Sequence, residues 1–579
     1  MTHGRFVAVV PLRGRPIPAA DPSCGGSDEV LATLAEGSCR VARSAGLPAL
    51  SGPRGIVLGL LYDRGQRRPA ERLADDGWAG IAASRGALLV DRYWGSFVAL
   101  LAHDGEVAVV RSPFADLGCF YCLTEDALFV ASDLPSLLRA ARHPRTIAAE
   151  RVLRHIAWPD WPARETCLEG IAELRGGERL TAAAGEVRIE SIWSPWAFVS
   201  PERQIDDAVE ARRRLRDAVE LAVAARSAPC RRPLLLLSGG LDSSVVASSL
   251  RSAGAEFACL NLVADDAGSD ETAYARCVAK AVSAELRIER LATDHVDVNR
   301  SGAAHLPYPV HRGFTQAQDR IAQDVAGAFG ADAVFDGGGG DNVFFASRSV
   351  SMLADCLLTG GFDRRFWAAA AALGDLAQAG LPRLVGLAVY RAWWRARVPR
   401  HPPAEAFLDP ALKGEVRRTP PHPWLDPPPS VLPGRAAHVG LLVPAQKMVE
   451  AVNAGAPYRA ISPLASQPVI EACLRIPSGL WIAQGHDRAV VRSAYEGRLP
   501  APIVHRRSKG TPTTFVAQVF ERNRPRIRDM LLGGWLAEQR IIDTAALARA
   551  LADEAPVRDL SFAQLMSLVD VEAWARAQR

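Results

Sequence analysis

The sequence predicts an α/β protein in two parts: a β-rich N-terminal part, then a doubly wound parallel sheet with a helical extension. Three observations carry this. Up to about residue 200, short apolar or alternating runs are separated by Gly, Asp and Pro turns. From about residue 204, apolar strands alternate with amphipathic helices. Two strands of this second part run into glycine-rich turns, "SGGLDSS" at 238–244 and "DGGGGDN" at 336–342. At 579 residues the chain is long enough for two or more full cores.

In the first part, "FVAVVPL", "GIVLGLLYD", "GSFVALLAHDGEVAVVRS" and "ALFVASDL" read as strands, with "DGE" at 104–106 as a hairpin turn. "IAELRGGERLTAAAGEVRIESIWSPW" adds further strands. Cys119 and Cys122 form a lone CxxC with no second pair, so they read as sheet core. In the second part, "DDAVEARRRLRDAVELAVAA" is a helix with Ala208, Leu215, Val219 and Val223 on one face. Then follow strand "PLLLL", a helix closing at Gly254, strand "FACLNLV", helix "DETAYARCVAKAVSA", strand "ELRIERL", helix "QAQDRIAQDVAGAFG" and strand "DAVFDGG". Beyond about 350 the pattern is mostly helical, interrupted by the loop "RTPPHPWLDPPPSVLP". "YRAWWRARVPRHPP" at 390–403 reads as a helix burying Trp393 or Trp394.

The net charge of +4 is nearly neutral for this length and predicts no nucleic-acid partner. No apolar run approaches the ~20 residues that span a bilayer, and the N-terminus lacks a signal-peptide pattern. The expectation is a cytoplasmic protein with no membrane association.

The turn at 238–244 joins a strand to a helix, which gathers backbone N–H groups and a positive helix end around an anion. Gly239 and Gly240 allow close approach, and Ser238, Ser243 and Ser244 supply hydroxyls. Asp242 beside a phosphate calls for a cation between them, and Mg2+ takes carboxylate and phosphate oxygens together. The second glycine turn falls on the same carboxyl edge of the sheet, where Asp341 is a second carboxylate for the metal. No GxxxxGK[ST] is present, which argues against P-loop γ-phosphate transfer. SGGLDSS instead matches the loop of ATP pyrophosphatases, which cleave between the α and β phosphates.

The chain resembles asparagine synthetase B and its relatives over nearly its whole length. "GSFVALLAHDGEVAVVRSPF", "LFVASDLPSLL", "TCLEGIAELRGGERL" and "WSPW" are similar to that family's glutaminase half. SGGLDSS, the glycine turn, "SPLASQPVIEACLRIP" and "LPAPIVHRRSKG" are similar to its synthetase half. The resemblance implies a degenerate, Ntn-type glutaminase-like αββα domain over 1–203 and an ATP pyrophosphatase domain over 204–579. Two departures narrow it. Thr2 stands where these glutaminases carry a nucleophilic cysteine, and the first cysteine here is Cys24. Gly338 and Asn342 replace two glutamates of the synthetases' Gly-Glu-Gly-x-Asp-Glu pattern.

With these departures, GGGGDN and PLxSQP look like the lasso peptide cyclases. That resemblance implies ATP and Mg2+, activation of an Asp or Glu side chain of a linear core peptide as the acyl-adenylate, and closure by the peptide's own N-terminal amine. It also implies a leader peptidase and a leader-peptide-binding protein as partners. Asp242 and Asp341 would hold the metal; Leu236 and Leu260 would border the adenosine; Asp336 and Gly337 would touch the nucleotide. Lys509, in "HRRSKG", aligns with the family's catalytic lysine; it is one of four lysines, with Lys280, Lys413 and Lys447. His311 either lines the pocket or is structural. The alternatives are a β-lactam-synthetase-like ligase acting on a small molecule, and an ATP-binding scaffold without catalysis.

Overall fold

The computed structural model describes the chain except residues 1–3, 13–22, 24–28, 35–38, 105, 162, 184–185, 265–270, 311, 395–401, 419, 451–455, 508–509, 511–512 and 553–560. Thr2, Cys24, His311 and Lys509 lie outside the described residues.

Among the described residues, twelve strands build the N-terminal part: β1 (Phe6–Pro11), β2 (Glu29–Thr33), β3 (Arg40–Ser44), β4 (Ala49–Gly52), β5 (Gly55–Asp63), β6 (Tyr93–His103), β7 (Glu106–Arg111), β8 (Phe120–Leu123), β9 (Ala127–Ala131), β10 (Ile171–Glu173), β11 (Glu178–Ala183) and β12 (Glu186–Ser191). They form two six-stranded antiparallel sheets, β10-β8-β9-β1-β3-β2 and β12-β11-β7-β6-β5-β4. Strand periodicity sets the layers. Phe6, Ala8 and Val10 of β1 pack with Ile56, Leu58, Val98 and Leu100 between the sheets. Val7 and Val9 point the other way, toward the helices Leu134–Ala141 and Ala149–Ala157. On the far side of the second sheet, Val57 and Leu61 pack on Trp78 and Ile81 of helix Asp75–Ala83. Runs such as FVAVV are apolar at every position because both faces of the sheet are covered.

Helix Ala208–Ser227 follows, capped by Asp207, whose side chain accepts from Glu210 N at 2.7 Å. Leu215, Val219 and Val223 are buried as expected; Ala208 is exposed and Ala211 takes its place in the packed face. A five-stranded parallel sheet comes next: β13 (Pro233–Leu236), β14 (Ala258–Val263), β15 (Glu285–Arg290), β16 (Ala333–Phe335) and β17 (Arg459–Ile461), in the order β15-β14-β13-β16-β17. The order reverses between β13 and β16, the strands that lead into the two glycine turns, and the crevice at such a switch point is where these sheets take ligands. β17 lies inside the region read as helical. Its three residues, RAI, are too few to carry a period.

The helix Leu381–Trp393 corrects another expectation. It buries Leu384, Ala388 and Arg391, spaced four and three apart, with Arg391 Nε donating to Ser351 Oγ at 3.1 Å. Trp393 and Trp394 fall off that face and are 57% and 69% exposed. Cys119 and Cys122 are buried in and beside β8, and burial pushes the Cys122 thiol up to about 12.

Replacing Trp393 and Trp394 together by Ser is expected to change unfolding stability by less than about 0.5 kcal/mol. Leu384→Ala should lower it by about 2–4 kcal/mol. Denaturant unfolding of the two variants checks this; the reverse order would contradict the exposure of the tryptophans.

Candidate functional site

The β13 strand ends at Leu236, and the next residue, Leu237, donates its N–H to Leu260 O at 2.8 Å before the chain turns. Gly239 has φ +76°, and a Cβ there would lie 2.8 Å from Ala275 N, so the turn requires glycine. Gly240 caps the helix Leu241–Ser252 without a side-chain bond, leaving first-turn N–H groups for a ligand. The turn is held internally: Gly240 N donates to Ser238 Oγ at 3.2 Å, and the Ser238 and Ser243 hydroxyls are 3.1 Å apart.

The second turn packs directly onto this helix start. A Cβ on Gly337 would sit 2.7 Å from Ser243 N, and one on Gly340 2.6 Å from Asp242 Cγ. Gly339 adopts φ +75°. The glycines therefore let two turns lie in contact, and Asp341, in the short helix Gly340–Val343, comes beside Asp242. Both carboxylates meet one guanidinium nitrogen. Arg488 Nη1 is 3.1 Å from Asp242 Oδ2 and 2.5 Å from Asp341 Oδ1. Arg488 has φ +51° and a side chain only 9% exposed. Burial lowers its pKa, but Asp242, Asp487 and Asp341 outweigh that and hold it above the usual value.

A cavity of about 480 Å3 opens over the turns. Leu236, Ser238, Gly240, Asp242, Ser243, Leu260, Asp336, Gly337 and Asp341 of the expected set all line it. Two expected residues stand behind the wall instead. Gly239 shapes the turn, and the buried Ser244 donates its hydroxyl to Gly240 O at 2.7 Å. Asp336 Oδ1 accepts from Ser462 Oγ at 2.6 Å and Gly338 N at 2.8 Å, while burial pushes its pKa up. Asn342, where the resemblance puts glutamate, donates Nδ2 to Leu441 O at 2.9 Å and so fastens the turn to helix Pro433–Glu450.

Four arginines of the wall had no sequence signal beyond their number: Arg312, Arg488, Arg492 and Arg506. Arg506 donates to Gly239 O at 3.0 Å, pairs with Glu271 and lies 4.0 Å over the Tyr274 ring. Lys509 falls outside the described residues, while its neighbours Arg506 and Gly510 line the cavity. Among the described residues no three or more His, Cys, Asp or Glu side chains gather as a metal site. Two carboxylates converging on one cation nevertheless fit Mg2+, which is commonly bound by one or two carboxylates plus substrate phosphates.

The family model for asparagine synthase matches residues 214–427 and 432–576. The chain belongs to the asparagine synthase family. Membership makes it, in general class, an ATP-using, amide-forming ligase. Solved structures similar to this asparagine synthase family chain include NMN synthetase from Francisella tularensis, at 13% identity and TM-score 0.18 over 25% of this chain and 60% of that one. The allosteric regulatory enzyme of purine biosynthesis matches at 9% identity and TM-score 0.21, over 57% and 89% of the two chains. Glutamine phosphoribosylpyrophosphate amidotransferase from B. subtilis, complexed with ADP and GMP, matches at 10% and 0.22, over 57% and 90%. TM-scores this low carry no functional argument. No curated protein matches the chain. Among the described residues no helix is long and apolar enough to cross a membrane.

Arg488→Met removes the guanidinium that Asp242 and Asp341 share. The metal-free variant is expected to be about 2 kcal/mol less stable than the wild type, reduced from a fully buried pair because Asp341 is 41% exposed. Millimolar Mg2+ alone should raise the variant's melting temperature and leave the wild type's unchanged. Gly340→Ala should weaken MgATP binding at least 10-fold by displacing Asp242, as read by calorimetric titration.

Proposed function

We propose that this chain is an ATP-dependent macrolactam synthetase of the lasso peptide cyclase type. It adenylates an Asp or Glu side chain of a linear core peptide, releases pyrophosphate, and closes an isopeptide bond to the peptide's N-terminal amine with release of AMP. The observation that carries this reading is the convergence of Asp242 and Asp341 on one cation between two glycine turns.

Mg2+ held there would screen the charge that develops on the leaving pyrophosphate. The protein's own part is positional and electrostatic. The N–H groups at the start of helix Leu241–Ser252 and the Ser238 and Ser243 hydroxyls cradle the phosphates. Arg506 and Arg492 add positive charge to the wall. Leu236 and Leu260 offer apolar surface to the adenine. Lys509 supplies an ammonium to the oxyanion of the acyl transfer. The peptide assignment is supported by the glycine turn itself. A Cβ on Gly338 would lie 2.8 Å from both Ser462 Oγ and Asp336 Oδ1, so a glutamate here would have to push those two side chains aside.

Residues 1–203 are read as a glutaminase-like domain that no longer hydrolyses glutamine, and 204–579 as the synthetase domain. The described cysteines support this. Burial pushes Cys39, Cys122 and Cys167 up to about 12, the opposite of what a nucleophilic thiolate needs. A leader peptidase and a leader-peptide-binding protein would deliver the peptide in the cytoplasm.

Incubation with the linear core peptide, ATP and Mg2+ should remove one water from the peptide and yield AMP and pyrophosphate, seen by mass spectrometry and nucleotide chromatography. ADP as the coproduct would overturn the proposal. Asp242→Ala and Lys509→Ala should each reduce turnover by at least about 10²-fold with the fold intact by circular dichroism.

A further inference from the structure

A second cavity, of about 410 Å3, adjoins the nucleotide cavity. The two share Leu236, Arg312, Gln318, Asp336 and Ser462 as a common wall. Three carboxylates line it: Asp319 on helix Thr315–Phe329, Asp336 at the end of β16, and Asp570 on helix Ser561–Gln578. Facing them are Arg300, Arg312, His305 and Tyr458. Three carboxyl groups thus meet two guanidiniums among the described lining residues. A partly desolvated carboxylate is stabilised by a cation that comes to it. Burial pushes Asp319 up to about 6 and Asp570 up to about 7, and a positive charge brought into the cavity favours their ionised forms.

The three carboxylates are not equivalent. Asp336 Oδ1 is engaged by Ser462 and Gly338, and Asp570 Oδ2 accepts from Gly313 N at 3.0 Å, tying the loop before helix Thr315–Phe329 to the C-terminal helix. Among the described residues Asp319 receives one long hydrogen bond, 3.4 Å, from Thr315 Oγ1 on its own helix. It is the carboxylate with the least to lose by turning to a ligand.

We propose that this cavity seats the primary amine that closes the amide bond, with Asp319 receiving it as the ammonium and taking its proton. This rests on the macrolactam reading of the nucleotide site and names the nucleophile's seat, which that reading leaves open. The balance is simple. The ammonium gives one proton to the Asp319 carboxylate and becomes an amine. Its lone pair forms the C–N bond to the activated carbonyl carbon. The C–O bond to the adenylate breaks, and its electron pair leaves on the AMP phosphate. The second proton leaves the nitrogen for solvent as the amide forms. The shared wall lets the amine come from one side and the activated carboxyl group from the other.

The test is an internal competition. The linear core peptide, ATP and Mg2+ are incubated with hydroxylamine, a small nucleophile that is uncharged at neutral pH and needs neither capture nor a base. Cyclic amide and peptide hydroxamate are then counted by mass spectrometry. Their ratio belongs to each folded, adenylate-bearing molecule, so a variant that folds in low yield still reports. Asp319→Asn is expected to lower the amide-to-hydroxamate ratio by about 10²-fold, and Asp319→Glu to restore part of it. An unchanged ratio in Asp319→Asn overturns the proposal. So does a variant that forms neither product, since that places Asp319 in activation. A wild-type enzyme that releases no pyrophosphate with the peptide fails at the earlier step and overturns the macrolactam reading itself.

Discussion

Contact between two glycine turns governs the rest of the site. Each turn follows a strand of the parallel sheet, and the strands are neighbours only because the sheet reverses direction between β13 and β16. A methyl group on Gly337 or Gly340 would press into the start of helix Leu241–Ser252. Without side chains the turns close to backbone contact, and Asp242 and Asp341 are driven together. Two carboxylates at that range repel unless a cation lies between them, and Arg488 stands there. The site is thus built around a positive charge before any nucleotide arrives.

The surrounding charges follow from that arrangement. Arg506 braces the first turn through Gly239 O, balanced by Glu271 and stacked on Tyr274. Asn342 and His438 anchor the second turn from below. Asn342 bonds to Leu441 O, and His438 bonds to Val343 O at 2.9 Å while stacking on Phe345. Burial lowers the His438 pKa to about 3, so the ring is neutral and the anchor is uncharged. The floor of the acid pair is therefore apolar and hydrogen-bonded, and its charge is compensated from above. Asp336 accepts from Ser462 on the wall toward the second cavity.

Much of this was legible in the chain because it is local. Alternating runs such as GIVLGLLYD and the strand–turn–helix pattern around SGGLDSS reflect periods and turn chemistry that act over a few residues. The failures share a cause. Ala208 and one of Trp393 or Trp394 read as buried from their hydrophobicity, but which helical stripe is buried depends on what packs against it. There, Ala211 and Arg391 hold the buried places. β17 was missed because three residues carry no period and its pairing with β16 is made across more than a hundred residues. Ser244 looks like any other hydroxyl of the motif, yet its bond to Gly240 O turns it into the helix.

By itself, the sequence determined the mixed α/β class with a parallel sheet, the two glycine turns, and the carboxylates Asp242 and Asp341 that the turns carry. Those features are written in contiguous residues whose backbone needs and chemistry are short-range. Only the tertiary structure decided that Arg488, some 150 residues beyond Asp341, supplies the cation between them. It alone placed Asp319 and Asp570 around a cavity on the far side of Asp336. Ion pairs and cavity walls join residues distant along the chain, and their partners are chosen by packing of the whole sheet and its helices, which no local pattern encodes.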